Sequence, residues 1–399
     1  MEPFATYIYH ARLSIGVLGD GRGHLVLFWS GISQNQFPAV RLHIMPDWTD
    51  EEDFEALIIL DYPPADIFAI QELVKARDTF VALLFGDLYE LTHYLDPRPG
   101  FQFLGYLDRN LYSRISLLVT GRALRPNELT DLRWAAAVLA FSQLAKITFD
   151  YASSIYELAG AKGGAEAAEE INRFRIADNS DPRLFINFAL GRVNRIPQSG
   201  FADLPKENKV DPAEFEKRTN DFRINYIHAL KIAELGQHAV EPAEKMIALL
   251  DWMANEFMFG APALLFANRY FSPNRFRRMI KGLRKKDIQN AAWDLTLVQT
   301  WRRAALKGIK GTQPAILMSG DKAVKDIARR ITAESDEEFE GHLREPWGQH
   351  SRDGLRVFNH YREVWEATSQ DTNRCQKVPN YSAQLKMIDD LEQMVLMPN

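Results

Sequence analysis

Two short apolar runs, residues 101–106 and 315–318, each give way within three residues to an aspartate and then to a helical pattern. Each run has the length and composition of a buried strand, ended by Asp108 in the first case and by Ser319-Gly320-Asp321 in the second. After Asp321 the apolar residues Ala323, Val324, Ile327, Ala328 and Ile331 fall on one face of an amphipathic helix. Strand, turn and helix in that order belong to α/β sheets. Ligands there collect at the carboxyl ends of strands, so an aspartate at that point can project into a crevice.

The chain around these runs has 399 residues, 46% hydrophobic and 25% charged, enough to bury a large core in two or three structural units. No apolar run approaches the roughly 20 residues of a membrane span, so no membrane partner is expected. Met1-Glu2-Pro3-Phe4 does not open as a signal peptide, and the expected compartment is cytoplasmic. One cysteine, Cys375, excludes an internal disulfide and an all-cysteine metal cage. A net charge of -5 argues against a protein that coats nucleic acid over its whole surface, while leaving room for a local basic groove.

Residues 1–98 form a mixed α/β segment, with strands expected at 13–17, 24–29 and within 54–61, and helix at 64–77 and 80–94. Gly19, Gly21 and Gly23 lack the Lys-Ser/Thr ending of a phosphate loop and mark a turn. The core, 99–331, comes in two pieces, 101–160 and 291–331, interrupted by a mostly helical insertion over 161–290. One long Ala- and Leu-rich helix is expected over 128–158. Asp211-Pro212-Ala213-Glu214 has the cap, proline and glutamate of a helix start. Residues 332–399 form a C-terminal helical extension.

Four acids carry the functional expectation. Asp108 and Asp321 end the strands, with Asn110 and Ser319 as supporting polar groups. Glu157 lies late in the long helix, and Asp294 is expected near the start of a later one, where the helix N-terminus would keep it ionised. Converging carboxylates suit hard cations such as Mg2+ and Mn2+, which can activate a water and stabilise a leaving oxygen. Each acid also has a plainer role. Asp108, Asp321 and Asp294 fit N-caps, and Glu157 fits a solvated helix face.

The ordered set of Asp108 and Asn110, Glu157, Asp294, and Ser319 with Asp321 resembles the PIN-domain nucleases, over about a quarter of the chain. The resemblance implies an α/β fold: a PIN-like three-layer core with a parallel sheet, plus the helical insertion and the N- and C-terminal extensions. It also implies that Asp108, Glu157, Asp294 and Asp321 bind Mg2+ or Mn2+ and cleave RNA ahead of DNA. A homodimer and a protein inhibitor or activator are further partners it suggests. The long insertion and the nearly 100 residues before Asp108 depart from a compact member of that family.

A basic cluster contains Arg277, Arg278, Lys281, Arg284 and Lys285 near one helical face. It is either a phosphate-binding ridge or a solvated helix. His342 and His350 lack partners for a zinc site, and Trp252, Trp293 and Trp301 are expected in the core. The expected activity is metal-dependent phosphodiester hydrolysis. The alternatives are a non-catalytic helical scaffold and a nucleic-acid-binding module with an inactive PIN-like core.

Overall fold

The computed structural model describes residues 8–10, 55–57, 62–83, 88–89, 91–94, 102–122, 125–206, 212–273, 280, 283–308, 313–332, 335–348, 350–369 and 379–396. The strands expected at 13–17 and 24–29, the glycine turn, Asp211, Arg277, Arg278, Lys281 and Cys375 lie outside these residues. Among the described residues the protein is a mostly helical α/β structure, with 14 α-helices and a four-stranded mixed sheet. A separate antiparallel pair joins β1 (Ile8–His10) to β2 (Glu55–Leu57), the latter inside the strand expected over 54–61.

The first half of the chain supplies α1 (Pro64–Lys75), β3 (Phe80–Val81), β4 (Leu104–Leu107), α2 (Arg109–Leu118), α3 (Pro126–Leu144), β5 (Thr148–Asp150) and α4 (Ala152–Lys162). Next come α5 (Gly164–Asp178), α6 (Pro182–Ala189), α7 (Pro212–Gln237), α8 (Pro242–Asn255) and α9 (Ala261–Phe271). The last part holds α10 (Lys285–Gly308), β6 (Ala315–Met318), α11 (Lys322–Ile331), α12 (Asp336–Arg344), α13 (Arg352–Ser369) and α14 (Tyr381–Leu396). The sheet order is β3-β6-β4-β5, with β4 parallel to both its neighbours and β3 antiparallel to β6. The all-parallel sheet expected from the sequence is therefore corrected to a mixed one.

Two further corrections follow from pairing. The helix expected over 80–94 is replaced by β3 and, further on, a 3-10 turn at Leu91–Tyr94. Phe80 and Val81 align with Met318 and Leu317, a contact that no local pattern announces. The single helix expected over 128–158 is in fact α3, β5 and α4. Lys146 breaks it in a left-handed conformation at φ 53°, and Phe149 then pairs with Gly105 of β4. The β-branched and aromatic residues Ile147, Thr148 and Phe149 suit a strand once β4 offers its edge.

Side-chain alternation along the strands divides the core in two. Phe80, Leu107, Ile316 and Met318 join the cluster formed with α1 to α6. Val81, Tyr106, Ala315 and Leu317 join the cluster formed with α7 to α14. Helices thus cover both faces of the sheet. Trp301 is fully buried and donates its indole N–H to Ala315 O at 3.2 Å, and Trp252 is also buried, as the sequence suggests. Trp293 is partly buried and stacks on Phe222.

Gly105 sits where three side chains close over β4. A Cβ there would lie 2.9 Å from Met318 Cε and 3.1 Å from Ile147 Cγ2. Gly105→Ala is expected to cost about 1–3 kcal/mol through overpacking, measured as a lower urea midpoint. An unchanged midpoint would mean that Ile147 yields freely.

Candidate functional site

The carboxyl ends of β4 and β6 lie side by side, and this brings Asp108 and Asp321 together. Leu107 pairs with Met318, and the Asp108 N–H donates to Met318 O at 3.0 Å. Asp108 is the N-cap of α2, accepting from Leu111 N at 2.7 Å through Oδ1. Its Oδ2 accepts the Ser319 hydroxyl and the Gly320 N–H, the latter at 3.2 Å. Asp321 caps α11, with Oδ1 accepting from Ala323 N at 2.7 Å. Its own N–H donates to Ser319 Oγ at 2.9 Å. Ser319 therefore joins the two acids.

The loop between them is held from below. Ser319 N donates to Thr79 O at 3.0 Å, and the Thr79 hydroxyl accepts the Trp134 indole N–H at 3.0 Å. A Cβ on Gly320 would stand 2.8 Å from Trp134 Cη2, so only glycine lets residue 320 lie on this ring. The Thr79 turn is fixed in its own right. Lys325, 2% exposed, donates to Arg77 O at 2.7 Å and to Asp78 O at 2.5 Å.

Glu157 approaches from α4, which Ser154 ties to the end of β4 by donating to Leu107 O at 2.8 Å. Burial pushes the Glu157 carboxyl up from 4.5 to about 7, and the charges of Asp108 and Glu170 add to the rise. Arg109 and Lys286 oppose it. Burial also raises Asp108, with Asp321's charge adding to the rise, while hydrogen bonds from Ser319, Leu111 and Gly320 pull it down. Three of the four expected acids thus form one electrostatic group centred on Asp108.

The fourth expectation changes. Asp294 is nine residues into α10, which starts at Lys285, so it does not open a helix and the N-terminal dipole does not reach it. The acid in the first turn of that helix is Asp287, paired with Arg284 at 2.7 Å. Asn110 is exposed on the first turn of α2, with no hydrogen bond from its side chain to either strand-end aspartate. Of the basic cluster, Arg284 and Lys285 are described, and each already has a carboxylate partner, Asp287 and Glu392. His342 lies 3.5 Å from Glu338.

The oxygen-only donor set matches a hard cation in chemistry. Its spacing does not. Among the described residues no three His, Cys, Asp or Glu side chains come together as a group able to hold a metal ion. Oδ2 of Asp108 already accepts two hydrogen bonds, and Oδ1 accepts one. As arranged, the acids do not fit a bound Mg2+ or Mn2+.

The sequence assigns no role to Arg109 or Glu170, and Lys286 belongs to the basic cluster that follows on from Arg284 and Lys285. Arg109 follows Asp108 directly, which was a usable signal, and forks onto Glu170 at 2.5 and 2.8 Å. Glu170 is brought in by the packing of α5 on α2, which no spacing in the sequence reports. Asp150 ends β5 beside the site, held by Arg218 at 3.2 Å and by Ala152 N at 3.0 Å. Comparison with family models, with curated proteins and with solved structures returns no match to this chain. No helix among the described residues is long and apolar enough to cross a membrane.

Proposed function

We propose that this chain is a PIN-like nuclease that hydrolyses phosphodiester bonds, RNA ahead of DNA, with Mg2+ or Mn2+ as its cofactor. The observation that carries this reading is the meeting of Asp108 and Asp321 through Ser319 at the carboxyl ends of two adjacent parallel strands, with the charge of Asp108 reaching Glu157. Asp108 and Glu157 are both raised, chiefly by burial and further by neighbouring acids, and carboxylates raised in this way are enriched at functional sites.

Glu157 is the proton acceptor for the attacking water. A carboxylate near 7 is half ionised at neutral pH, close to the optimum for a general base. Arg109 and Lys286 supply positive charge beside it, which favours both the ionised base and a phosphate. Ser319 holds Asp108 and Asp321 in register. A divalent cation would supply positive charge to offset that of the substrate.

With either ion supplied, cleavage of single-stranded RNA should fall by about 100-fold or more in Glu157→Gln. A variant with full activity would remove Glu157 from the chemistry. A folded wild-type chain that cuts neither RNA nor DNA in either ion would overturn the reading.

A second reading is favoured by the hydrogen bonds themselves. Asp108 and Asp321 both cap helices, and no metal-holding group is formed among the described residues. A binding module with an inactive core, or a helical scaffold, is consistent with that arrangement. RNA affinity that falls steeply with salt but without cleavage would select the binding module.

A further inference from the structure

We propose that the cleft between α2, α4 and α5 seats a backbone phosphate of the nucleic acid, gripped by Arg109, Lys162 and Arg173 in place of their present glutamate partners. This rests on the nucleic-acid reading of the adjoining acids. The cleft has a volume of about 360 Å3. Arg109, Ser113 and Ser116 line one wall, spaced four and three residues apart on one face of α2. Lys162 ends α4 on the other side, and Glu166, Glu169, Glu170 and Arg173 face in from α5.

Each cation here is held by a carboxylate, and the pairs differ in depth. Lys162 meets Glu166 at 3.4 Å, with the two side chains 61% and 57% exposed. Arg173 meets Glu169 at 2.6 Å, and that glutamate is 68% exposed. Exposed pairs of this kind contribute little and are readily exchanged for another anion. Arg109 and Glu170 form the deep pair, both largely buried and joined by two parallel hydrogen bonds. A guanidinium fork that grips a carboxylate bidentately grips a phosphate in the same way. The Arg109 guanidinium lies 5.7 Å from the centre of the Tyr112 ring, which restrains its plane. The Tyr112 hydroxyl is buried with no hydrogen-bond partner among the described residues.

Position ties this cleft to the acids. Arg109 is next to Asp108 in the chain, and the charges of both Arg109 and Glu170 reach Glu157. Glu170 occupies the place that a phosphate would take on the fork, so it acts as a built-in competitor. Three cations against three glutamates leave the lining with no net charge. Removing one glutamate should therefore strengthen anion binding, and removing cations should weaken it.

The test is fluorescence anisotropy of a labelled single-stranded RNA of about ten nucleotides, with chelator present, on the full chain. Lys162→Ala with Arg173→Ala should weaken binding by about 5-fold or more and lower the slope of log affinity against log salt by about 1.4. Glu170→Gln should tighten binding by about 3-fold or more, since Arg109 is then free to accept the phosphate. A double variant with wild-type affinity and slope overturns the proposal, as does a Glu170→Gln chain no tighter than wild type. Absence of RNA binding by the folded wild-type chain at low salt overturns it too. Cleavage measured in parallel with Mg2+ or Mn2+ separates the two ideas. Cutting with unaltered binding in the variants sinks the cleft alone, and altered binding without cutting sinks the nuclease alone.

Discussion

Glu157→Gln is expected to leave the folded chain more stable than wild type by about 1–3 kcal/mol above about pH 7, and to remove that difference below about pH 4.5. The folded-state value of about 7 lies above the ordinary 4.5, so the native state holds its proton over an interval in which the unfolded chain has lost it. Stability from this group is present in full below 4.5 and declines as pH rises to about 7. The full difference corresponds to about 3 kcal/mol, reduced by the partial solvent access of the side chain. Glutamine is uncharged throughout and has no such decline.

Urea unfolding of both chains between about pH 4 and pH 8 isolates the effect as the difference between two curves. Asp178, raised by burial to about 6, and His228, lowered by burial to about 4, titrate in the same range, but they contribute equally to both chains and cancel. A difference curve that stays flat would mean that Glu157 ionises freely in the fold, and its assignment as a base near neutral pH would go with it.

Lys325→Met is the second large effect, expected to cost about 2–4 kcal/mol because it strips the buried donor from two carbonyls. Lys325 Nζ bonds Arg77 O and Asp78 O, and burial lowers its pKa below the ordinary lysine value. Asp78 holds a left-handed conformation at φ 51° within the same turn. That turn presents Thr79 O to Ser319 N, and Ser319 in turn bonds Asp108. The loss should therefore appear twice, as a lower urea midpoint and as impaired function at the acids. Lys325→Arg, which keeps a donor but not the space for it, should fall between the two. If Lys325→Met matched wild type in both, the turn would owe its shape to Arg329 and Asp78 instead.

The parts of the fold legible in the sequence were those whose signals are local. Residues 315–331 carry an apolar run, a glycine, a capping aspartate and a five-residue apolar stripe, and they form β6 and α11 as expected. Asp108 before α2 was legible for the same reason. What escaped was set by pairing at long range. Phe80 and Val81 look like the start of a helix until β6, more than 230 residues later, provides an edge. Thr148 to Asp150 are three residues between two strongly helical segments, and only β4 makes them a strand.

The candidate site divides along the same line. Asp108, Ser319 and Asp321 were found because they end strands, and the sheet joins them directly. Glu157 is legible only as an acid late in a helical stretch, and its coupling to Asp108 depends on the packing of α4 on the end of β4. Asp294 was misplaced because the true start of α10 is marked by Arg284 and Asp287, an ion pair spaced three residues apart that resembles an ordinary surface turn. Glu170 carried no signal of its own, since three glutamates at 166, 169 and 170 read as a solvated helix face.

The central claim is metal-dependent cleavage at the paired aspartates, and Asp321→Asn tests it with the least disturbance. Asn caps helices about as well as Asp, whereas Asn at 108 would turn an amide N–H toward donors already in place. Labelled total RNA and single-stranded DNA are incubated with wild type and with Asp321→Asn, in Mn2+, in Mg2+ and in chelator. RNA should be cut by wild type in either ion, and not by the variant or in chelator. A wild-type chain, folded by circular dichroism, that leaves both substrates intact in both ions would contradict it. Asp108 and Asp321 would then be helix caps, and nucleic-acid binding without chemistry would be the function to pursue.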